Sequence, residues 1–407
     1  MGETKHLLSG IRVVEAANMV YVPCVGAVMA DFGAEVIKVE PPGGGDIHRY
    51  GHQLPGMPVS EIPYAFQMDN RNKKSVVLDL RTEPGKEAML KLLRRADVFL
   101  TNYRRGALKR LNMTYDDLRP LNPRLIYAYG SGYGEIGPEA DKPGYDSVCY
   151  WSRSGIESTV FPLNDWLGPL PYGSGDHPSG MMLMNAVLLA LLAREKTGLG
   201  TKVSNSLIGC GVYANSVTIQ AQLCNAQFNP KVPRENSYNF TYIYYLPKDK
   251  RVFKLNIQDH EKLWVPFCQA IGRPELAIDP RFATIPVRVQ HMSELIKIID
   301  EVIAQQDAGY WFQQFVEYDI PHTALPTYEE IANDPQLAAT GVFVDVDHPR
   351  FGKFRTVDSP MKVEGYEKVK PGPSPELGEH TREVLAAIGY SEKQIREMLD
   401  KGAATQK

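Results

Sequence analysis

A chain of 407 residues with 43% hydrophobic and 23% charged residues has the proportions of a soluble globular protein, which excludes a disordered tail protein or a collagen-like fibre. Lys and Arg total 45 against 48 for Asp and Glu, a net charge of −3. No basic field of the kind a nucleic-acid-binding protein needs covers the chain. The length points to two domains or one large core with an insertion.

Taken in chain order, residues 1–135 alternate between two periodicities. Runs rich in Val, Ile and Tyr predict strands at 11–16, 35–40, 75–80, 97–102 and 125–129. Helical segments are predicted between them. One starts at Pro23, a good first helical residue, and runs to Asp31 with Gly33 just beyond it. A second spans 83–94 with Thr82 as its cap, and a third spans 106–121. Repeated βαβ units imply an α/β fold with a mostly parallel sheet. Residues 162–175 read as a loop marked by Pro162, Gly168, Pro169, Pro171, Gly173 and Gly175, followed by an apolar helix over 181–194. A linker rich in Asn, Tyr and Pro (225–245) precedes a second α/β pattern, with a strand at 252–257 and helices at 261–271, 292–305 and 310–317. The tail carries Pro- and Gly-marked segments, then helices at 381–388 and 392–401.

The longest apolar stretch, 181–193, contains Asn185 and falls short of the roughly 20 residues a membrane span requires. The first residues, Met1 to His6, lack the apolar region of a signal peptide. The five scattered cysteines form no CxxC pair and read as reduced thiols, so a cytoplasmic protein without membrane association is expected.

Several chemistries find no support. A dinucleotide fold would place GxGxxG after the first strand, where the sequence reads Ala17-Asn18-Met19-Val20-Tyr21-Val22-Pro23. Gly43-Gly44-Gly45 lacks the GK[ST] of a phosphate loop, and no HExxH or comparable metal-ligand spacing occurs. Gly130-Ser131-Gly132 and Gly173-Ser174-Gly175 do not match the GxSxG of a serine hydrolase.

Three local features carry possible chemistry. In Gly173-Ser174-Gly175-Asp176-His177-Pro178-Ser179-Gly180, Asp176 lies near a helix N-terminus, where the positive dipole end favours negative charge. It reads either as a simple N-cap or as a carboxylate nucleophile for acyl transfer, and spacing alone does not choose. Lys142-Pro143-Gly144-Tyr145-Asp146 is a turn bearing a cation, a phenol and a carboxylate. Arg104, Arg105, Lys109 and Arg110, with Arg81, Arg94 and Arg95 nearby, form either a solvated face or a phosphate-capturing set.

These segments together resemble the class III CoA-transferase family, also called CaiB/BaiF. The resemblance is carried by Leu8-Ser9-Gly10-Ile11-Arg12-Val13-Val14-Glu15, by Asp31-Phe32-Gly33-Ala34-Glu35-Val36-Ile37-Lys38-Val39-Glu40, and by Asn72-Lys73-Lys74-Ser75-Val76-Val77-Leu78-Asp79-Leu80. The Gly175-Asp176 turn and Leu377-Gly378-Glu379-His380-Thr381 complete it. The resemblance implies that Asp176 is the nucleophile of CoA transfer, passing through a mixed anhydride and an aspartyl-CoA thioester. It implies CoA contacts at Leu78, Arg81, Asn102, Tyr103, Arg104 and Arg110, with Lys142 close by, and an active site lined by Val20, Tyr145, Asp146 and His177. It further implies a large Rossmann-like domain (1–225 with 335–407), a smaller inserted α/β domain (226–334) and an interlocked homodimer. Acyl-CoA and carboxylic acid are the expected substrates, with no permanently bound cofactor and no metal.

Departures narrow the substrate. Val20 stands where formyl-CoA transferases carry a glutamine, and their glycine-rich lid is replaced by Asn236-Ser237-Tyr238-Asn239-Phe240-Thr241-Tyr242. The related α-methylacyl-CoA racemases use a histidine where Tyr145 stands. The chain is most similar to the branch acting on aromatic or branched 2-hydroxy acids, of the cinnamoyl-CoA:phenyllactate kind. The alternatives are a racemase-type isomerase and a non-catalytic CoA-binding protein.

Overall fold

The computed structural model describes residues 6–163, 168 and 170–407. Residues 1–5, used above to argue against a signal peptide, and positions 164–167 and 169 of the expected 162–175 loop lie outside the described residues. The chain divides into two compact units. The larger comprises 1–160, 167–226 and 339–407, and the smaller 161–166 and 227–338.

The larger unit begins with β1 (Arg12–Ala16), α1 (Pro23–Asp31), β2 (Glu35–Glu40), α2 (Tyr64–Asn70), β3 (Lys74–Leu78), α3 (Glu83–Arg95) and β4 (Val98–Thr101). It continues with α4 (Arg105–Leu111), α5 (Tyr115–Leu118), β5 (Ile126–Ser131), α6 (Ile156–Val160), α7 (Asp176–Thr197), β6 (Lys202–Ser206) and α8 (Leu207–Ala214). The strands lie in the order β3-β2-β1-β4-β5-β6, all parallel, with the short Ala404–Thr405 strand antiparallel on the outer edge of β3. Helices cover both faces, so the strands read as near-continuous buried runs rather than alternating ones. Strand order reverses at β1, which pairs with both β2 and β4. Loops leaving the carboxyl ends of two such strands diverge, and a crevice opens between them.

Local chemistry explains the helix limits. Pro23 opens α1 and Thr82 caps α3 by accepting from the Gly85 N–H. The single helix expected over 106–121 is two. Asn112 adopts φ 54° and ψ 46°, the left-handed conformation that terminates α4, and Thr114 then starts α5 with a reciprocal capping box to Asp117. The apolar helix starts five residues before the expected 181, at Asp176, and ends where Gly198 takes φ 74°. The tail also forms an antiparallel hairpin, Phe343–His348 with Gly352–Val357, that the Pro- and Gly-marked sequence did not announce.

The smaller unit holds a three-stranded antiparallel sheet (Tyr244–Tyr245, Phe253–Leu255, His322–Ala324). Helices Trp264–Ala270, Met292–Ile303 and Ala308–Glu317 close an aromatic core around Phe240, Phe253, Trp264, Phe267 and Phe315. No helix among the described residues is long and apolar enough to cross a membrane.

Candidate active site

The crevice at the strand switch rests on buried charge. Glu15, at 0% exposure on β1, accepts from Lys38 Nζ at 2.9 Å and from Lys73 Nζ at 2.8 Å. Lys38 also pairs with Asp46 at 2.8 Å, and Asp46 Oδ1 in turn accepts the backbone N–H groups of Met19 and His48, each at 3.0 Å. Those bonds hold Met19 at φ 67°, a conformation that a side-chain-bearing residue adopts only when its surroundings impose it. The loop after β1 is thus fixed from below by charges that have no route to water.

The start of α7 is set by glycines. A Cβ on Gly175 would sit 2.6 Å from ring carbons of Tyr150, and one on Gly180 would sit 2.2 Å from Cys24 Sγ. Their absence lets the first turn of α7 pack against α1 and the Tyr150 ring. The Gly175 N–H donates to Asp146 Oδ2 at 3.2 Å, tying the turn at 144–146 to this point.

Asp176 is the first residue of α7, and its carboxylate has no hydrogen-bond partner among the described residues. It faces a cavity of about 570 Å³ whose walls include Asn102, Tyr103, Arg104, Arg110, Lys142 and Tyr145. Burial, reinforced by the Asp146 and Asp69 carboxylates and opposed by His177, pushes its pKa up to about 8. Gly130, Gly132 and Gly144 form one wall, where a Cβ on Gly132 would come within 3.0 Å of Gly144 Cα. Backbone there can approach a bound molecule closely.

Arg104, just before α4, and Arg110, within it, also line the cavity, both exposed and with no ion-pair partner among the described residues. Arg105 is occupied, donating from Nε and Nη2 to the two Asp141 oxygens at 3.0 and 2.8 Å, and Lys142 pairs with Glu139 at 3.0 Å. Unpaired cations in the same cavity as a carboxylate without a hydrogen-bond partner suit a ligand with anionic groups at one end and an acyl carbon at the other.

Not every residue singled out in the sequence reaches this cavity. Leu78 is 1% exposed, held in the core beneath the Ala404–Thr405 strand. Arg81 turns back onto Asp79, with Nε and Nη2 each 2.8 Å from a carboxylate oxygen, and stands outside the cavity lining. Val20 is buried against Gly173, and its neighbours Met19 and Tyr21 form the wall instead. His177 is not among the residues lining the cavity and bonds Asp69 at 3.0 Å.

Asp69 was missed altogether, with its contacts to His48 and His177 and the Tyr172 hydroxyl that meets the His48 ring. It sits on α2, a helix too short and mixed in composition to stand out by periodicity, and its partners lie 21 and 108 residues away. Only the abundance of His and Asp around positions 46–52 and 176–177 hinted at it. No group of three or more His, Cys, Asp or Glu residues suited to a metal ion occurs among the described residues.

Comparisons with known proteins bear on this geometry. A sequence model described as CoA-transferase family III matches residues 8–381. The (R)-2-hydroxy-4-methylpentanoate CoA-transferase of Clostridioides difficile is 31% identical over 97% of this chain and 98% of its own. The cinnamoyl-CoA:phenyllactate CoA-transferase of Clostridium sporogenes is 31% identical over 98% and 97%. A formyl-CoA:oxalate CoA-transferase of Escherichia coli is 32% identical over 96% and 98%. Among solved structures, a CAIB/BAIF family protein from Brucella suis superposes with a TM-score of 0.81 at 26% identity, covering 95% of this chain and 100% of that one.

Proposed function

The chain belongs to CoA-transferase family III and is a CoA-transferase, and on that premise we propose that it moves CoA from an acyl-CoA donor to a carboxylic acid through Asp176. One observation carries the reading: a carboxylate with no hydrogen-bond partner among the described residues faces a cavity whose lining includes unpaired arginines.

Each step exchanges one activated acyl group for another. The Asp176 carboxylate attacks the donor thioester carbonyl and the C–S bond breaks, giving a mixed anhydride and CoA thiolate. The thiolate attacks the aspartyl carbonyl and expels the donor acid, leaving an aspartyl-CoA thioester. The acceptor carboxylate attacks that thioester, CoA thiolate leaves again, and its attack on the acceptor acyl carbon of the second anhydride restores Asp176. Protons balance throughout, because every nucleophile and every leaving group is an anion. The sequence of steps requires no metal or redox cofactor.

In this reading Arg104 and Arg110 meet the CoA phosphates, with Tyr103 offering an aromatic face and Asn102 and Lys142 nearby, which is supported by their sharing one cavity with Asp176. Tyr145 would bound the acyl end next to Asp176, while Asp146, outside the cavity lining, accepts from the Gly175 N–H at the start of α7. The absence of a glutamine at Val20, and the substrates in the names of two relatives, favour an aromatic or branched 2-hydroxy acid as acceptor. The same reading takes the larger unit as a Rossmann-like CoA-binding domain with the smaller unit inserted into it, and places the enzyme in the cytoplasm. Leu189 and Leu192 on α7 and Tyr213 and Val217 beyond it are more than half exposed, which favours a homodimer, interlocked as in the family.

The test is isotope exchange between a labelled acid and an acyl-CoA. Asp176→Ala is expected to abolish it while CoA binding survives, and hydroxylamine added during turnover is expected to mark position 176. Undiminished exchange by Asp176→Ala overturns the reading.

A further inference from the structure

His177 follows Asp176 on the first turn of α7, and each of its ring nitrogens meets an oxygen that can only accept. Nδ1 lies 2.9 Å from the Gly173 carbonyl, and Nε2 lies 3.0 Å from Asp69 Oδ1. Both nitrogens must therefore donate, which only the doubly protonated ring does. The second oxygen of Asp69 lies 3.2 Å from His48 Nε2, and the His48 side chain is 0% exposed. The Nδ1 of His48 faces the Tyr172 hydroxyl at 3.4 Å, a group that can donate or accept. The His48 N–H leads on to Asp46, and through it to Lys38, Glu15 and Lys73. Within this chain the carboxylates Glu15, Asp46 and Asp69 are matched by Lys38, Lys73 and a protonated His177. A neutral His177 could donate from only one ring nitrogen, and one of its two contacts would be lost.

We propose that the His48–Asp69–His177 chain is a positioning device of the transfer site: it holds an imidazolium beside Asp176, and that charge favours the ionised form of the Asp176 carboxylate, the form that attacks. The idea rests on Asp176 being the nucleophile. Of the charged side chains that act on Asp176 from the packed elements around it, His177 alone is positive; the cavity cations Arg104, Arg110 and Lys142 line the ligand space instead. Asp146 faces it from the 144–146 turn, Asp69 from α2 and the Cys24 thiol from α1, while Tyr172 lies beside His48; none of these is a cation. The Asp69 partnership raises the His177 pKa to about 9, against the effect of burial, so the positive charge persists across the neutral range. His177 and Asp69 are thus positioning residues, acting through the carboxylate next door.

Two measurements test this. In the intact wild-type protein, 15N chemical shifts of the His177 ring are expected to report both nitrogens protonated at pH 7.5, with deprotonation near pH 9. In the pH profile of kcat/KM, His177→Gln and Asp69→Asn are expected to move the acid limb upward by about one unit or more, with much of the lost activity recovered above pH 9. His48→Gln, which preserves a donor near Asp69, is expected to move it less. A neutral His177 ring at pH 7.5 overturns the proposal, as does an acid limb that stays in place while the rate falls uniformly. The ring titration needs no turnover and so remains readable if a variant fails to fold. It also separates the two readings: exchange surviving in Asp176→Ala defeats the nucleophile assignment whatever the ring titration shows.

Discussion

Asn102 and Asn18 close the loop after β1 with a reciprocal pair of hydrogen bonds. The Asn18 N–H donates to Asn102 Oδ1 at 3.0 Å, and Asn102 Nδ2 donates to the Asn18 carbonyl at 2.8 Å. The amide therefore spans the two loops that diverge at the strand switch, and both of its ends are in use within the protein. Asn102→Ala strands a backbone donor and acceptor at the rim of the cavity, a loss of about 1–3 kcal/mol. The expected outcome is a melting temperature lower by several degrees together with a raised KM for acyl-CoA. Asn102→Asp keeps the acceptor, loses the donor, and is expected to fall between wild type and Asn102→Ala on both measures.

The arginines divide by what they already hold. Arg104 and Arg110 face the cavity unpaired, whereas Arg81 is engaged with Asp79 outside its lining. A charge-assisted contact to phosphate that is lost on truncation raises KM by about tenfold or more. Arg110→Ala is expected to show that change for acyl-CoA, with a weaker dependence of KM on salt. Arg81→Ala is expected to change KM less than about twofold. Steady-state kinetics at two ionic strengths checks both, and equal effects would show that Arg81 swings to the ligand.

Asp176 should reveal its position through stability. Its pKa rises on folding from the ordinary carboxylate value to about 8, chiefly through burial and then through Asp146. A raised carboxylate pKa means that the folded state binds the proton more tightly, so this group destabilises the fold progressively as pH climbs from about 4 to about 8. Asp176→Asn removes that penalty. The variant is expected to match wild type in acid and to exceed its melting temperature increasingly up to pH 8, with the gain levelling off above. A variant uniformly less stable at all pH values would mark Asp176 as a structural helix-end residue.

Much of this was legible in the sequence because it is local. Pro23, Thr82 and Gly198 fix helix ends within one turn, and the Val- and Ile-rich runs that become β1 to β5 have one sensible partner arrangement once βαβ repetition is seen. The same locality failed at Asn112, where a single left-handed residue splits a helix whose apolar pattern continues beyond it. The site divides in the same way. Asp176 and Tyr145 sit in recognisable turns, and Asn102, Arg104 and Arg110 follow the end of one strand. Asp69 is functionally silent in sequence, since its meaning depends on two histidines brought to it by other elements. Leu78 and Arg81 show the converse: side chains next to a strand end can be claimed by the core or by a neighbour two residues away.

The buried charges under the site give the severest expected loss. Glu15, Lys38 and Lys73 are all 0% exposed in their side chains, and each ammonium takes one oxygen of the same carboxylate. Glu15→Gln leaves both ammonium groups facing a neutral amide that can accept through only one atom. Breaking a buried pair from one side costs about 3–5 kcal/mol, enough to remove a large part of the stability of an ordinary fold. Burial already lowers the Lys73 pKa to about 8, with Glu15 the strongest influence resisting it. A lysine whose pKa falls on folding destabilises the protein at neutral pH, and that penalty fades as pH rises through the folded pKa and on toward the unfolded value. In Glu15→Gln, Lys73 loses its main support and gives up its proton at lower pH. The stability gap between variant and wild type is therefore expected to narrow as pH rises from the variant's lower Lys73 pKa to about 8, so that it is larger at pH 7 than at pH 9.5. Adding Lys73→Met, which removes the stranded charge at similar volume, is expected to recover part of the loss at pH 7. Denaturant unfolding at pH 7 and 9.5 measures both, and a gap that is independent of pH would show that the loss comes from packing rather than from charge.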